Sequence, residues 1–172
     1  IFFKPLIEKS AKHPNAPSLK LEVDRFGEVG AAEPIGKSYS YSNAGFNTLG
    51  AVVETKSGKP LEIYLDQLIY EPLRMNDSYH HEVADKLDGK LNRMSVVYYK
   101  RDGKWIQGWK PGHPPKYPFV RASGGMISTA MDYAVFCQMY LNGGTYGGKR
   151  ILKPATVKLM TTPHTESLYT FD

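Results

Sequence analysis

The sequence predicts an α+β chain, mostly helical, with one small antiparallel hairpin and long loops. Three observations carry the prediction. Apolar side chains recur at helical spacing in residues 44–57 and again in residues 130–141. The stretch "MSVVYYKRDGKWIQ", residues 94–107, sets Val, Tyr and Trp around Asp102-Gly103, a strong signal for a tight hairpin turn. The chain has 12 prolines and 16 glycines among its 172 residues, and most of them break the remainder into loops.

Residues 1–38 read as a loop-rich lead. Pro5, Pro14, Pro17 and Pro34, with Gly27, Gly30 and Gly36, interrupt any long element, and only a short helix near Pro5–Lys12 fits. Residues 39–81 hold two helices. The first, 44–57, gathers Phe46, Leu49, Gly50, Val52 and Val53 on one face. Asn43 can cap its start by accepting from a free N–H of the first turn, and Gly58 suits the left-handed residue that ends it. The second runs from Leu61 to Tyr70 on Leu61, Tyr64, Leu65 and Leu68, and Glu71-Pro72 stops it.

Residues 82–122 hold the hairpin and then "GWKPGHPPKYPFV", residues 108–120, an ordered loop without regular structure. Residues 123–172 hold two further helices. Ser128 or Thr129 caps the first, Asp132 complements its positive end, and Gly143-Gly144 closes it. Its expected buried face is Ala130, Tyr133, Ala134, Phe136, Cys137, Tyr140 and Leu141. "KRIL" is a short extended piece, and Pro154 opens a last helix that runs to about Met160.

Composition bounds the function. A chain of 172 residues, 41% hydrophobic and 23% charged, is long enough for one domain with a core of its own. No apolar run approaches the roughly 18 residues of a membrane span. The net charge of +5 comes from scattered lysines and arginines, with no basic block, which argues against nucleic acid as a partner. A single cysteine, Cys137, excludes an intrachain disulfide and reads as core packing in a helix. The first residue is Ile and no signal-peptide pattern opens the sequence, so it reads as a processed chain or a piece of one.

Several short motifs invite chemistry. Tyr41-Ser42-Asn43 sits in a loop just before a helix, where side chains can project into a cleft. Tyr41 there could serve as general base if positive neighbours lowered its pKa from about 10, and Asn43 could hold a substrate amide. Plain helix capping is the competing reading. The second Tyr-x-Asn, Tyr140-Leu141-Asn142, lies at a helix end and reads as structure. Lys56-Ser57-Gly58 reads as a helix C-terminus. The glycine-rich run from Gly143 to Arg150 follows a helix and lacks the hydroxyl after its lysine, so it is no nucleotide loop. His80-His81-Glu82 reads as a surface turn, since adjacent side chains diverge; no metal and no organic cofactor is implied. Aromatic and basic residues alternate over 98–121, a surface for peptide or glycan or the packing of a hairpin.

Two long stretches then carry a resemblance. "YSYSNAGFNTLGAVVETKSGKPLEIYLDQLIYEPLRMNDS" and "ASGGMISTAMDYAVFCQMYLNGGTYGGKRILKPATVKLMTTPH" resemble, in order and separation, the serine β-lactamase-like hydrolases. That family includes class C β-lactamases, D-Ala-D-Ala carboxypeptidases and family VIII-type carboxylesterases. Arg74 stands where the family's turn usually has glycine. The resemblance implies a β-lactamase/transpeptidase-like fold and acyl transfer on a β-lactam, ester or D-Ala-D-Ala peptide. It gives Tyr41 the role of general base or proton shuttle and Asn43 that of orienting substrate. Ser42, Ser123 and Gly124 would line the substrate.

No serine of the chain has lysine three positions later, so the family's Ser-x-x-Lys nucleophile motif is absent, as is its Lys-Thr-Gly or His-x-Gly motif. The chain therefore reads as the middle portion of a catalytic domain. It would need the remainder of that domain, or another chain, to cover its apolar faces. The alternative is a non-catalytic relative that binds peptide or glycan through residues 98–121. By resemblance a periplasmic or extracellular location is favoured, with the cytoplasm also compatible.

Overall fold

The computed structural model describes residues 18–29, 39–115 and 117–164. Helix α1 spans Leu19–Val29. It lies inside the stretch expected to be loop. Ser18 starts it, accepting from the Leu21 N–H on its Oγ at 3.3 Å, and Leu19 and Val23, four apart, face the core. The helix expected near Pro5–Lys12 lies outside the described residues.

Helix α2 spans Asn43–Ser57 and ends at Gly58 (φ 67°), whose N–H reaches the Glu54 carbonyl as the sequence predicts. Its start corrects the expectation: Ser42, extended at φ −133° and ψ 103°, is the N-cap, and its Oγ accepts from the Gly45 N–H at 2.9 Å. Its buried side is the expected one at Gly50 and at half-buried Val53, and differs otherwise. Asn47, Gly50 and Ala51 are buried, whereas Phe46, Leu49 and Val52 are exposed. The described residues that pack on α2 come from α1, from Leu61, and from Val120 and Ala122, on the Asn47 side.

Helix α3, Leu61–Leu65, does not stop before Pro72. It continues through a π turn, Asp66–Tyr70, into a last turn, α4, Glu71–Leu73. The wider turn bonds the Glu71 N–H to the Asp66 carbonyl, five residues back, just ahead of the proline that has no N–H to give. Arg74 closes the segment in the left-handed region (φ 57°, ψ 36°), the conformation glycine adopts most readily.

Strand β1, Tyr79–His80, pairs antiparallel with β4, Met126–Ile127. Strands β2, Tyr98–Arg101, and β3, Lys104–Gln107, form the predicted hairpin around Asp102 and Gly103, both at positive φ. The hairpin stands out from the body: Tyr98, Tyr99 and Trp105 are exposed. Helix α5, Ala130–Leu141, is capped by Thr129, whose Oγ1 accepts from the Asp132 N–H at 3.1 Å. Strands β5, Thr145–Tyr146, and β6, Lys149–Arg150, pair before helix α6, Pro154–Met160.

Two buried clusters hold these elements. Leu19, Ala51, Leu61 and Val120 form the first, and Tyr70, Leu73, Met75 and Met139 the second. Each fully buried leucine contributes about 1.5–3 kcal/mol. Burial pushes the Tyr70 phenol up to about 12, with the Asp66 charge adding to it. Helix α5 offers only Met139 fully to the core, with Val135, Phe136 and Tyr140 half-buried against it. Cys137, Tyr133, Ala134 and Leu141, expected inside, are exposed. No helix among the described residues is long and apolar enough to cross a membrane.

Candidate active site

The cap on α2 decides what its first side chains can do. Because Ser42 satisfies the first turn, Asn43 is left as the first helical residue, half-buried, with its amide uncommitted. Tyr41 precedes it in extended chain and is 64% exposed. Neither the Tyr41 hydroxyl nor the Asn43 amide has a hydrogen-bond partner among the described residues.

One turn further along, Asn47 does the opposite. It is buried, and its Oδ1 accepts from the Ser123 N–H at 3.0 Å while its Nδ2 donates to Glu22 Oε2 at 2.8 Å. Residues four apart lie on one helix face, so Asn47 stands directly behind Asn43. Three residues on, Gly50 lets Ala122 pack against the bare helix backbone. The backbone of residues 122–123 is thereby seated on the same side of α2 as Asn43. Burial raises the Glu22 carboxyl above its ordinary value; the Asn47 amide, then Arg121 and Arg25, pull the other way.

The loop is held from its far side as well. The His81 N–H donates to the Gly125 carbonyl at 2.7 Å, and Arg121 bridges to Gly124. Glu82 is buried beneath the loop, its side chain 2% exposed, with its Oε1 3.5 Å from Arg121 Nε. A Cβ on Gly125 would meet the Glu82 carboxylate at 2.6–2.8 Å, and its φ of 90° also calls for glycine. The Arg121 guanidinium lies 4.0 Å over the Tyr117 ring.

His80-His81-Glu82 is therefore not a surface turn. His80 is buried on β1, and its pKa is lowered by desolvation first and then by the Arg121 charge, against the pull of Asp66. His81 stacks edge-on against Trp109 at 5.3 Å and bonds the His113 carbonyl through Nε2 at 3.0 Å. Among the described residues no group of three or more His, Cys, Asp or Glu could hold a metal ion.

The structure thus joins Ser123, through its backbone N–H, to the helix that starts at Asn43, and sets Gly124 next to it on a loop braced from two sides. Sequence reasoning missed Asn47 and Glu22, and read Glu82 as part of a surface turn and Arg121 as part of the 98–121 stretch. For Asn47 a sign was present: a polar residue in step with Gly50 and Ala51 on the small-residue side of the helix. A cavity of about 300 Å³ lies elsewhere, lined by Asp77, Tyr79, Lys90, Arg93 and Trp109 among others, and does not include Tyr41 or Asn43.

Comparison with known proteins shows which family the chain belongs to. A protein of Escherichia coli O157:H7, provisionally named a D-alanyl-D-alanine carboxypeptidase, is 30% identical over 145 residues, which cover 76% of this chain and 33% of that protein. The N-acetylmuramyl-L-alanine amidase of Bacillus subtilis (strain 168) is 30% identical over 143 residues, 74% of this chain and 32% of that one. The chain thus spans about a third of the length of the curated relatives it matches.

Among solved structures, the octameric penicillin-binding protein homologue from Pyrococcus abyssi superposes with a TM-score of 0.64 at 25% identity, over 87% of this chain and 31% of that chain. The penicillin-binding protein from Bacillus halodurans does so with a TM-score of 0.63 at 25% identity, over 86% and 42%. These neighbours establish the β-lactamase/transpeptidase-like fold expected from the sequence. Residues 6–172 match the family described as Beta-lactamase, and the chain belongs to that family.

Proposed function

We propose that this chain forms the middle of the catalytic domain of a serine hydrolase that works by acyl transfer on a β-lactam, an ester or a D-Ala-D-Ala peptide. The observation that carries the reading is the division of labour at the start of α2. Ser42 caps the helix, which leaves the Tyr41 hydroxyl and the Asn43 amide uncommitted at the start of a helix that Asn47 ties to the Ser123 backbone. A capping residue and two unengaged polar groups in succession suit a site that must receive a ligand better than one that only starts a helix.

In the proposed reaction a serine outside these residues attacks the substrate carbonyl. Tyr41 moves the serine proton to the leaving nitrogen or oxygen, and water then releases the acyl group with the proton path reversed. Asn43 orients the substrate amide, and Ser42, Ser123 and Gly124 line the acyl side. A chromogenic cephalosporin, a short-chain aryl ester and a D-Ala-D-Ala peptide, offered to the full protein, separate the three substrate classes. Tyr41→Phe is expected to lower the acylation rate by about 10²–10⁴-fold, the range of positioned acid–base catalysis. Near-normal turnover by that variant removes Tyr41 from the mechanism.

A further inference from the structure

We infer that Asn47 is a positioning residue whose single amide fixes the Ser123–Gly124 backbone against the end of α2 that bears Tyr41 and Asn43. The inference deepens the acyl-transfer reading above and rests on it.

The side chain meets opposite demands on its two sides. Toward Ser123 an acceptor is needed, because a backbone N–H points at it from 3.0 Å. Toward Glu22 a donor is needed, because a carboxylate oxygen lies 2.8 Å away. Only an amide of this length supplies both at once in a buried place. Leucine, of similar volume, would satisfy neither side, and a carboxylate would set charge against charge. The bond to Ser123 spans 76 positions of sequence, so it fixes the loop relative to the helix and not relative to its own neighbours.

Glu22 is the backing of this amide. Its place on α1, with Leu19 buried one turn earlier, ties Asn47 to the first core cluster. The loop's other end is braced by His81 and Glu82. Among the described residues, the contact of residues 122–125 that reaches the helix of the Tyr-x-Asn segment by a hydrogen bond is the one through Asn47. A misplacement of about 1 Å at a reacting centre can cost about a hundredfold in rate.

Three variants of the full protein test this, with Tyr41→Phe beside them. They are assayed on the cephalosporin, aryl ester and D-Ala-D-Ala peptide well below their melting temperatures, and Ser123 amide exchange is followed by NMR. Asn47→Leu is expected to keep its far-ultraviolet circular dichroism, to speed Ser123 exchange and to lower kcat/KM by about 10- to 100-fold. Asn47→Asp is expected to gain activity as pH falls, because protonating one of the two facing carboxyls restores a donor. Asn47→Asp combined with Glu22→Gln exchanges the polarity of the pair and is expected to recover most of the activity at neutral pH.

Unchanged Ser123 exchange in Asn47→Leu overturns the inference whatever the substrate, and so does wild-type kcat/KM in that variant. If Asn47→Leu is impaired while Tyr41→Phe is normal, the positioning role stands and the Tyr41 mechanism falls. If Tyr41→Phe is inactive and Asn47→Leu is normal, the reverse holds.

Discussion

Gly50 and Ala122 approach so closely that a Cβ added to Gly50 would lie 2.7 Å from the Ala122 Cβ, and 3.0 Å and 3.3 Å from the Leu19 and Leu61 methyls. A glycine in mid-helix forgoes about 1 kcal/mol of helix propensity relative to alanine. Here it lets a loop from 72 positions further along the chain rest on the backbone of α2.

Gly50→Ala therefore sets that propensity gain against overpacking of about 1–3 kcal/mol. The expected outcome is a net loss of stability in chemical denaturation of the full protein, with weaker binding of substrates as Ala122 and Ser123 are pushed outward. A melting temperature at or above wild type would show that the loop yields without cost.

Asp132 is a second such junction. Its Oδ2 accepts from the Asp77 N–H at 2.8 Å and from the Ser78 hydroxyl at 2.9 Å, so it anchors the start of α5 to the turn before β1. Asp132→Ala leaves the Asp77 N–H without its acceptor and the Ser78 hydroxyl with Ser128 Oγ alone, 2.8 Å away, and is expected to cost about 1–3 kcal/mol. Asp132→Asn keeps one oxygen and should lose less. Equal stability of Asp132→Ala and wild type in urea would refute the anchoring role.

His80 gives the fold a pH dependence with a definite sign. Its folded pKa is lowered, chiefly by desolvation, from the ordinary 6.5. As pH falls, the unfolded chain takes up this proton before the folded one does. The contribution is fully present above about pH 6.5 and is lost as pH drops through that value toward the folded one. Wild type should lose melting temperature between pH 7.5 and 5 more steeply than His80→Gln, which has no proton to bind. Parallel slopes for the two would exclude His80 as the cause.

Arg74 holds a left-handed conformation that costs a side-chain-bearing residue about 1–2 kcal/mol, against about 0.5–1 kcal/mol for the added unfolded-state freedom of glycine. Arg74→Gly is expected to stabilise the protein by about 0.5–1 kcal/mol. A loss on equilibrium unfolding would mean that the Arg74 side chain makes a contact worth more than the strain.

What could be read from the sequence follows from how local each cause is. The β2–β3 hairpin and the C-terminus of α2 were legible because Asp102-Gly103 and Gly58 act through their own backbone angles. The N-cap was not, since Ser42 and Asn43 are adjacent and chemically both fit; only the extended angles at Ser42 choose between them. Helix α1 was hidden by Gly27 within it and by Pro17 beside it.

The inward side of α5 was illegible for a different reason. Its residues are apolar almost all round, so spacing could not say that Met139 goes inside and Cys137 stays out. Tyr41, Ser42, Asn43, Ser123 and Gly124 stood out as candidates through resemblance. The Asn47–Ser123 and Glu82–Arg121 contacts did not, because their partners lie 76 and 39 positions apart.

The π turn at Asp66–Tyr70 has one more consequence, and it concerns phase. A turn that holds one residue above the regular number rotates everything after it by about 100° around the axis. Tyr70, Leu73 and Met75 meet Met139 only with that rotation in place. Closing the same five residues into regular α-helix would swing Leu73 and Met75 away from α5, whereas removing one of Asp66, Gln67 or Leu68 lets the coil close regularly with them in place. Besides the Tyr70 and Ile69 side chains, this short segment gives the second core the width of its turn.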